Sequence, residues 1–309
     1  MNSIKKFLIA LLSPVWFLFP VQAVATPLTV IPVTEDVWAI VGEKEQRSPT
    51  NLANNATFGL IVTSEGLVLV DPGGSYQGAE ALHKAIQTVS NQPVRFVINT
   101  GGQDHRWLGN DYWHHQGATI IASDAAVLDQ KKRVSEQLSG LQRFLKGQEL
   151  STVPRHADVS FETDYSLTFG GMTLELKHRG AAHTPGDSFV WMPSKQTMFT
   201  GDIVYVERIL GIGQQSKLTS WISIFDQMAS FEPKHIVPGH GSPTNLDVAT
   251  RDTYQYLANL RANIIALIDE GGDILQAPSV DQSQFSYLEQ FESLAGRNAQ
   301  TAFEQMEWE

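Results

Sequence analysis

Val97-Ile98-Asn99-Thr100-Gly101-Gly102-Gln103-Asp104-His105 is the stretch on which the reading of this 309-residue chain turns. Its first half is apolar and β-branched, the composition of a buried strand. Its second half is small residues followed by an acid beside an imidazole, and both side-chain types suit Zn²⁺. An Asp-His pair alone is weak evidence, and three later segments give it weight. Ala181-Ala182-His183-Thr184-Pro185-Gly186-Asp187-Ser188, Thr200-Gly201-Asp202 and Val237-Pro238-Gly239-His240-Gly241 each bring small residues and then a ligand type at a strand end or loop. In open sheets, function gathers where strand carboxyl ends let loops converge.

Outward from that stretch, strands and helices interleave. Leu28 to Val41 alternates apolar and polar residues and predicts one or two strands. Phe58–Val62 and Leu67–Val70 predict a strand pair running into Asp71-Pro72-Gly73-Gly74, with a helix over 77–89. Val94–Asn99 and Ala118–Ala122 are further strands, separated by a short helix over 110–116. Ser123 caps a long helix to about Leu145, part of an expected helical insertion around 123–160. A hairpin turning at Gly170-Gly171 follows, then strands at 189–192, 197–200 and 235–238 and a helix over 218–230. The apolar spacing predicts one amphipathic helix over 247–270 and a last helix over 284–306. The two halves are alike in order, with no low-complexity linker, which predicts one αβ/βα sandwich.

The first 25 residues have the form of a secretory signal. Lys5 and Lys6 precede an apolar run broken by Ser13-Pro14, and Ala23-Val24-Ala25 suits cleavage. The expectation is a periplasmic or secreted protein with a domain over 26–309. The chain has no cysteine, hence neither disulfide framework nor lipid-bearing thiol, and any metal site must use His, Asp and Glu. A net charge of −11, more negative once the two signal lysines are gone, argues against nucleic acid and anionic membrane as partners. A small-molecule substrate is the expected partner.

Taken in order with Asp71-Pro72-Gly73, the four ligand-bearing segments resemble the metallo-β-lactamase superfamily over nearly the whole mature chain. The resemblance implies a four-layer αβ/βα fold with a metal cleft at one edge. Its motif H-x-H-x-D-H supplies two histidines to one metal and the Asp-His pair to another. Here Thr100 and Gly102 stand where the two leading histidines would be. By the resemblance His183 would complete the first site, Asp202 would bridge, and His240 would close the second. The first site then lacks ligands, whereas Asp104, His105, Asp202 and His240 form a set for one ion. One metal is expected, zinc by preference, with iron and manganese compatible with all-N/O donors. Family members that use the first site for iron are excluded by the same loss. Mono-zinc β-lactamases use a cysteine in the second site, so antibiotic hydrolysis is not implied. Val190-Trp191 after the His183 loop, the helix from Arg251 to Gly271 and the ending through Glu307-Trp308-Glu309 resemble an exported branch associated with sulfur oxidation and quinoproteins.

The expected site therefore has His183 and Asp104 as catalytic groups and Asp104, His105, Asp202, His240 and His183 as metal-binding candidates. The expected reaction is hydrolysis of a small ester, thioester, amide or phosphoester by metal-activated water, with His183 as base or anion binder. Asp71 is read as orienting the ligands or as capping its turn. His114 and His115 cannot both face a cleft from one helix. His83 is expected in solvent, His156, His178 and His235 in structural roles, and Trp107, Leu108 and Trp113 in the core. The alternative is a degenerate member that binds a ligand or protein partner in the old cleft without turnover. A metal-free structural protein is the third reading.

Overall fold

Apolar runs pair into two sheets in the computed structural model, which describes residues 26–147, 149 and 151–308. The export segment expected at 1–25 lies outside the described residues. The first sheet follows chain order through β1 (Thr29–Thr34), β2 (Val37–Val41), β3 (Thr57–Thr63), β4 (Gly66–Val70), β5 (Val94–Asn99), β6 (Thr119–Ser123) and β7 (Val159–Phe161). β1 to β4 are antiparallel, and β4 to β7 are parallel. β4 shows how both faces are buried. Leu67 and Leu69 join one apolar cluster while Val68 and Val70 join another, which is why the strand reads as an unbroken apolar run.

The second sheet has the order β12 (His235–Val237), β11 (Thr197–Phe199), β10 (Ser188–Met192), β9 (Met172–His178) and β8 (Asp164–Phe169). The β8–β9 hairpin turns at Gly170 (φ +53°) and Gly171 (φ +80°). Two consecutive left-handed residues are what a tight hairpin turn of this twist requires, and glycine adopts them without strain.

The helices are α1 (Tyr76–Ile86), α2 (Asn110–His115), α3 (Asp124–Leu145), α4 (Leu218–Ala229), α5 (Leu246–Ala249), α6 (Gln255–Asp269) and α7 (Phe291–Met306). Leu82, Ile86 and Trp113 of α1 and α2 pack on the outer face of the first sheet. Trp221, Leu257, Leu260 and Phe303 of α4, α6 and α7 pack on the outer face of the second. Val68, Ile98, Leu176 and Phe199 fill the space between the sheets. The layers are thus helix, sheet, sheet, helix: a four-layer α/β sandwich, as expected.

Two helical expectations differ in detail. The helix expected over 247–270 is interrupted at Thr250–Tyr254 by a π turn, which turns Asp252 and Thr253 inward. The Thr253 hydroxyl accepts from the Tyr205 amide at 2.9 Å, and Asp252 accepts from the Glu207 amide at 3.0 Å. A π turn aims side chains that an ideal helix would not, and here they hold the strand-like segment beside the site. The last helix starts at Phe291 rather than 284, because Gln290 takes a left-handed conformation (φ +65°). Among the described residues no helix is long and apolar enough to cross a membrane.

Candidate metal centre

The carboxyl ends of β4, β5, β11 and β12 meet at one edge of the sandwich and deliver Asp71, the Thr100–His105 loop, Asp202 and His240 there. Asp202 is the hub. His105 Nε2 lies 3.2 Å from its Oδ2, His240 Nε2 3.1 Å from its Oδ1, and His183 Nδ1 3.6 Å from its Oδ2. The ligand atoms of His105, Asp202 and His240 all lie within 4.8 Å of one another, and all three residues are buried. His240 is held by a backbone bridge to Tyr205, whose ring stacks on it with centroids 4.4 Å apart. Close packing of the loops requires glycine at 239, where a Cβ would run into the Gly201 carbonyl and the Arg106 guanidinium.

The other expected ligands are placed differently. Asp104 faces Arg47, which reaches over from the β2–β3 loop in a bidentate pair, Nε to Oδ2 at 2.5 Å and Nη2 to Oδ1. Burial alone would raise the Asp104 carboxyl, but the Arg47 charge outweighs it and holds the group far below the usual carboxylate range. His183 stands at the rim of the trio. The positions of the two missing histidines are filled. The Thr100 hydroxyl donates to Asp71 Oδ2 at 2.8 Å, and a side chain at Gly102 would collide with the Asp129 carboxylate of α3. α3 is fastened there by Gln130 to the Gly101 carbonyl and Gln137 to the Gly102 carbonyl, at 3.2 and 2.8 Å.

Three arginines shape the site's electrostatics. Arg106 is fully buried and donates to Asp71 Oδ2 at 2.8 Å, Asp202 Oδ1 at 2.7 Å and the Gly239 carbonyl at 2.8 Å. Asp71 thus accepts from both Thr100 and Arg106, and Arg106 links it to Asp202. Arg47 also donates to His105 Nδ1 at 3.0 Å. That bond leaves the ring's proton on Nε2, aimed at Asp202, with no lone pair there for a metal. Arg208 is 4 % exposed. Its one hydrogen-bond contact among the described residues is a 3.5 Å approach to His240 Nδ1, and its Nε has no partner.

Burial keeps the remaining imidazoles neutral. It pushes His183 down to about 4 despite the Asp202 charge, and His240 well below the usual histidine value. Among the described residues, His183 Nδ1 and His240 Nε2 are both buried without a hydrogen-bond partner. Two neutral imidazoles with an unused nitrogen beside a carboxylate match the donor set of zinc. Asp202 itself is pulled well below its usual range, since Arg106 and His105 outweigh the effect of burial. The residues therefore fit an ion at His105, Asp202 and His240, on condition that Arg47 releases His105 Nδ1 and Arg208 releases His240 Nδ1. Arg47→Gln is expected to tighten zinc binding about tenfold, the lower end of what partners behind metal ligands contribute. The freed Asp104 can then accept from His105 Nδ1, 3.2 Å away. Equilibrium dialysis against a zinc buffer measures this, and an unchanged or weaker affinity would count against the lock.

Asp187 behaves in the opposite way to Asp104. Burial, with help from the Asp202 charge, raises it to about 8, although the Thr184 amide and hydroxyl donate to it at 2.7 and 2.5 Å. A carboxyl raised by folding stabilises the fold fully below its unfolded pKa of about 4, and that stabilisation is lost as pH rises through its folded value. Asp187→Asn, which can keep both contacts, is expected to flatten the fall of melting temperature between pH 7 and 9. A parallel fall in the variant would show that Asp187 is not its source.

The remaining histidines lie apart. His83 is half-buried and bonded to the Tyr112 hydroxyl at 2.7 Å, rather than solvated. His156 stacks on Trp107, with centroids 5.1 Å apart. His178 Nδ1 meets the Asp187 carbonyl oxygen at 2.8 Å. His115 is exposed on α2, bonding only within it. Trp107, Leu108 and Trp113 are core.

A family model described as the metallo-beta-lactamase superfamily matches residues 53–240. The metallo-beta-lactamase type 2 of Bacteroides fragilis is 26% identical over 116 residues, 36% of this chain and 45% of that protein. The chain thus spans less than half the length of this curated relative. Among solved structures, a metallo-beta-lactamase from Pontibacter korlensis superposes with a TM-score of 0.61 at 22% identity, covering 75% of this chain and 99% of that one. The metallo-beta-lactamase FIM-1 from Pseudomonas aeruginosa, in its mono-zinc form, gives 0.60 at 17% identity, covering 77% and 97%. At these identities the superpositions speak for the fold, and the family match spans the ligand-bearing loops from Asp71 to His240. With its four-layer fold, its candidate metal-ligand trio at one edge and a family match over residues 53–240, this chain belongs to the metallo-β-lactamase superfamily.

Proposed function

We propose that the protein is an exported hydrolase of a small anionic ester, thioester, amide or phosphoester, dependent on one metal ion, zinc by preference. The observation that carries the metal is the trio His105, Asp202 and His240, with His240 Nε2 buried and unsatisfied. When bound, the ion supplies Lewis-acid activation of water and of the scissile oxygen. The chain's own groups do the rest. His183 Nδ1, neutral and without a hydrogen-bond partner, accepts the proton of the attacking water. Arg208 binds the substrate's anionic group. It lines the cleft with His105, His183 and His240, and among the described residues no carboxylate lies within ion-pair distance of it. A buried cation without a counter-charge is costly unless a ligand supplies one. The cleft is small, about 120 Å³, against roughly 300–1,000 Å³ for drug-sized ligands, so only the reacting end of a substrate enters it.

The second reading is a cleft that binds an anion without turnover. It is favoured by the arginines: Arg47 occupies Asp104 and His105 Nδ1, and Arg106 occupies Asp202 Oδ1. Metal content per chain, measured on protein purified without added metal, separates the two. About one zinc supports the hydrolase. No metal, with thermal stability unmoved by added zinc, supports the anion-binding reading.

A further inference from the structure

A second cavity, about 290 Å³, adjoins the metal cleft and shares His183, Gly211 and Leu294 with it. Its walls are the 211–215 loop and α7. α7 lies beyond the residues that match the family, so this wall belongs to the chain's own C-terminal region. The wall is built rather than incidental. Asn298 accepts from the Ile212 amide at 2.8 Å and donates to the Leu210 carbonyl at 2.8 Å. Gln214 donates to Glu304 at 2.8 Å, and the Leu218 amide to Gln305 at 3.2 Å. Helix and loop are thereby pinned on both sides of the opening.

Within this fixed frame Gln215, Arg297 and Thr301 line the cavity, and none of their side chains has a hydrogen-bond or ion-pair partner among the described residues. Arg297 is exposed to solvent. The chain is strongly acidic, with 22 basic against 33 acidic residues. Two adjoining cavities, with an unpaired guanidinium at Arg208 in the inner one and another at Arg297 in the outer one, are therefore a local reversal of sign. Such reversals concentrate anions, and guanidinium forks suit carboxylate and phosphate.

We infer that the ligand is an elongated dianion. One acidic end reaches Arg208 beside the metal-binding trio, and the other lies against α7, where Arg297, Gln215 and Thr301 receive it. This deepens the proposed function and rests on its inner anion anchor. It explains how so small an inner cleft serves a larger substrate: the outer cavity carries the remainder.

The test is calorimetric titration of the full mature chain with butyrate and with unbranched α,ω-dicarboxylates from succinate to azelate. At least one dicarboxylate is expected to bind tenfold or more tighter than butyrate. Arg297→Gln, at an exposed position with no hydrogen-bond or ion-pair partner among the described residues, is expected to bring that dicarboxylate down to the butyrate level without changing the thermal unfolding midpoint. Arg208→Gln is expected to weaken butyrate and dicarboxylates alike. Butyrate binding with no gain for any dicarboxylate, or a gain that survives Arg297→Gln, overturns the outer subsite and leaves the inner anchor standing. If butyrate does not bind at all, or binds equally to Arg208→Gln, the inner anchor fails and the dianion proposal falls with it.

Discussion

Replacing His240 with alanine is expected to abolish stoichiometric zinc binding, while replacing His183 leaves it near one ion per chain. The difference follows from geometry. His240 belongs to the trio whose ligand atoms lie within 4.8 Å of one another, and removing it leaves one imidazole and one carboxylate. Two protein ligands fall short of the three or four that hold zinc. The affinity should drop more than about 100-fold, beyond the range seen when only a residue behind a ligand is changed. His183 stands 3.6 Å from Asp202 at the edge of the trio. Its loss should lower any hydrolysis the wild type shows by about 10²-fold or more, the contribution of a positioned base. Metal analysis after gel filtration reads both variants, with circular dichroism showing that each is folded. If His183→Ala strips the ion instead, the metal sits in the first site and the assignment of His183 as base is wrong.

The order of ligand-bearing loops was legible because each is a local pattern: a strand's apolar run, small residues that let loops approach, then Asp or His. Asp71, Asp104, His105, Asp202 and His240 all arrive at one edge for that reason. Their partners were not legible. Arg47 meets Asp104 from a loop 57 residues earlier in the chain, and nothing in the sequence around Arg47 marks it. Arg208 and Arg106 carry one signal in the sequence. Each sits within a few residues of a ligand-bearing motif, where the chain buries side chains to build the cleft, and a buried arginine must find acids or wait for an anion. The π turn at Thr250–Tyr254 was hidden because the apolar spacing over 247–270 continues through it.

These arginines also explain why the donor set alone did not describe the site. Counting ligand types by loop gave Asp104 to the metal. The structure gives it first to Arg47, whose fork matches the carboxylate in two places, with side chains only 14% and 7% exposed. A buried acid goes to whichever cation is present when the loops close, and the resident guanidinium has no association entropy to lose. An ion entering at His105, Asp202 and His240 would therefore compete with the resident guanidinium groups. Salt and anions that draw Arg47 or Arg208 away would favour the ion.

Arg106 has no such freedom, and Arg106→Met should cost roughly 3–5 kcal/mol of stability, the usual penalty for breaking a buried charge pair from one side. The side chain is completely buried and holds four chain segments together. It donates to the Thr57 carbonyl at the start of β3, to Asp71 after β4, to Asp202 after β11 and to Gly239 after β12. Methionine keeps much of the stem's volume, so the loss isolates charge and hydrogen bonding rather than a cavity. Asp71 and Asp202 would remain buried without their counter-charge, and burial already raises the Asp71 carboxyl. With Arg106 gone it rises further, so Asp71 takes up a proton on folding over a wider range of pH. The variant should therefore lose most stability at neutral and higher pH and recover part of it as pH falls toward the unfolded carboxylate value. Urea unfolding at pH 5 and pH 8 measures both the size and the slope. Adding Asp71→Asn removes one of the two stranded charges and should restore a substantial fraction, whereas Arg106→Lys supplies a charge without the fork and should restore little. A penalty under about 1 kcal/mol at pH 8, or no recovery with Asp71→Asn, would mean that the four segments are held by packing and that the guanidinium is a passenger.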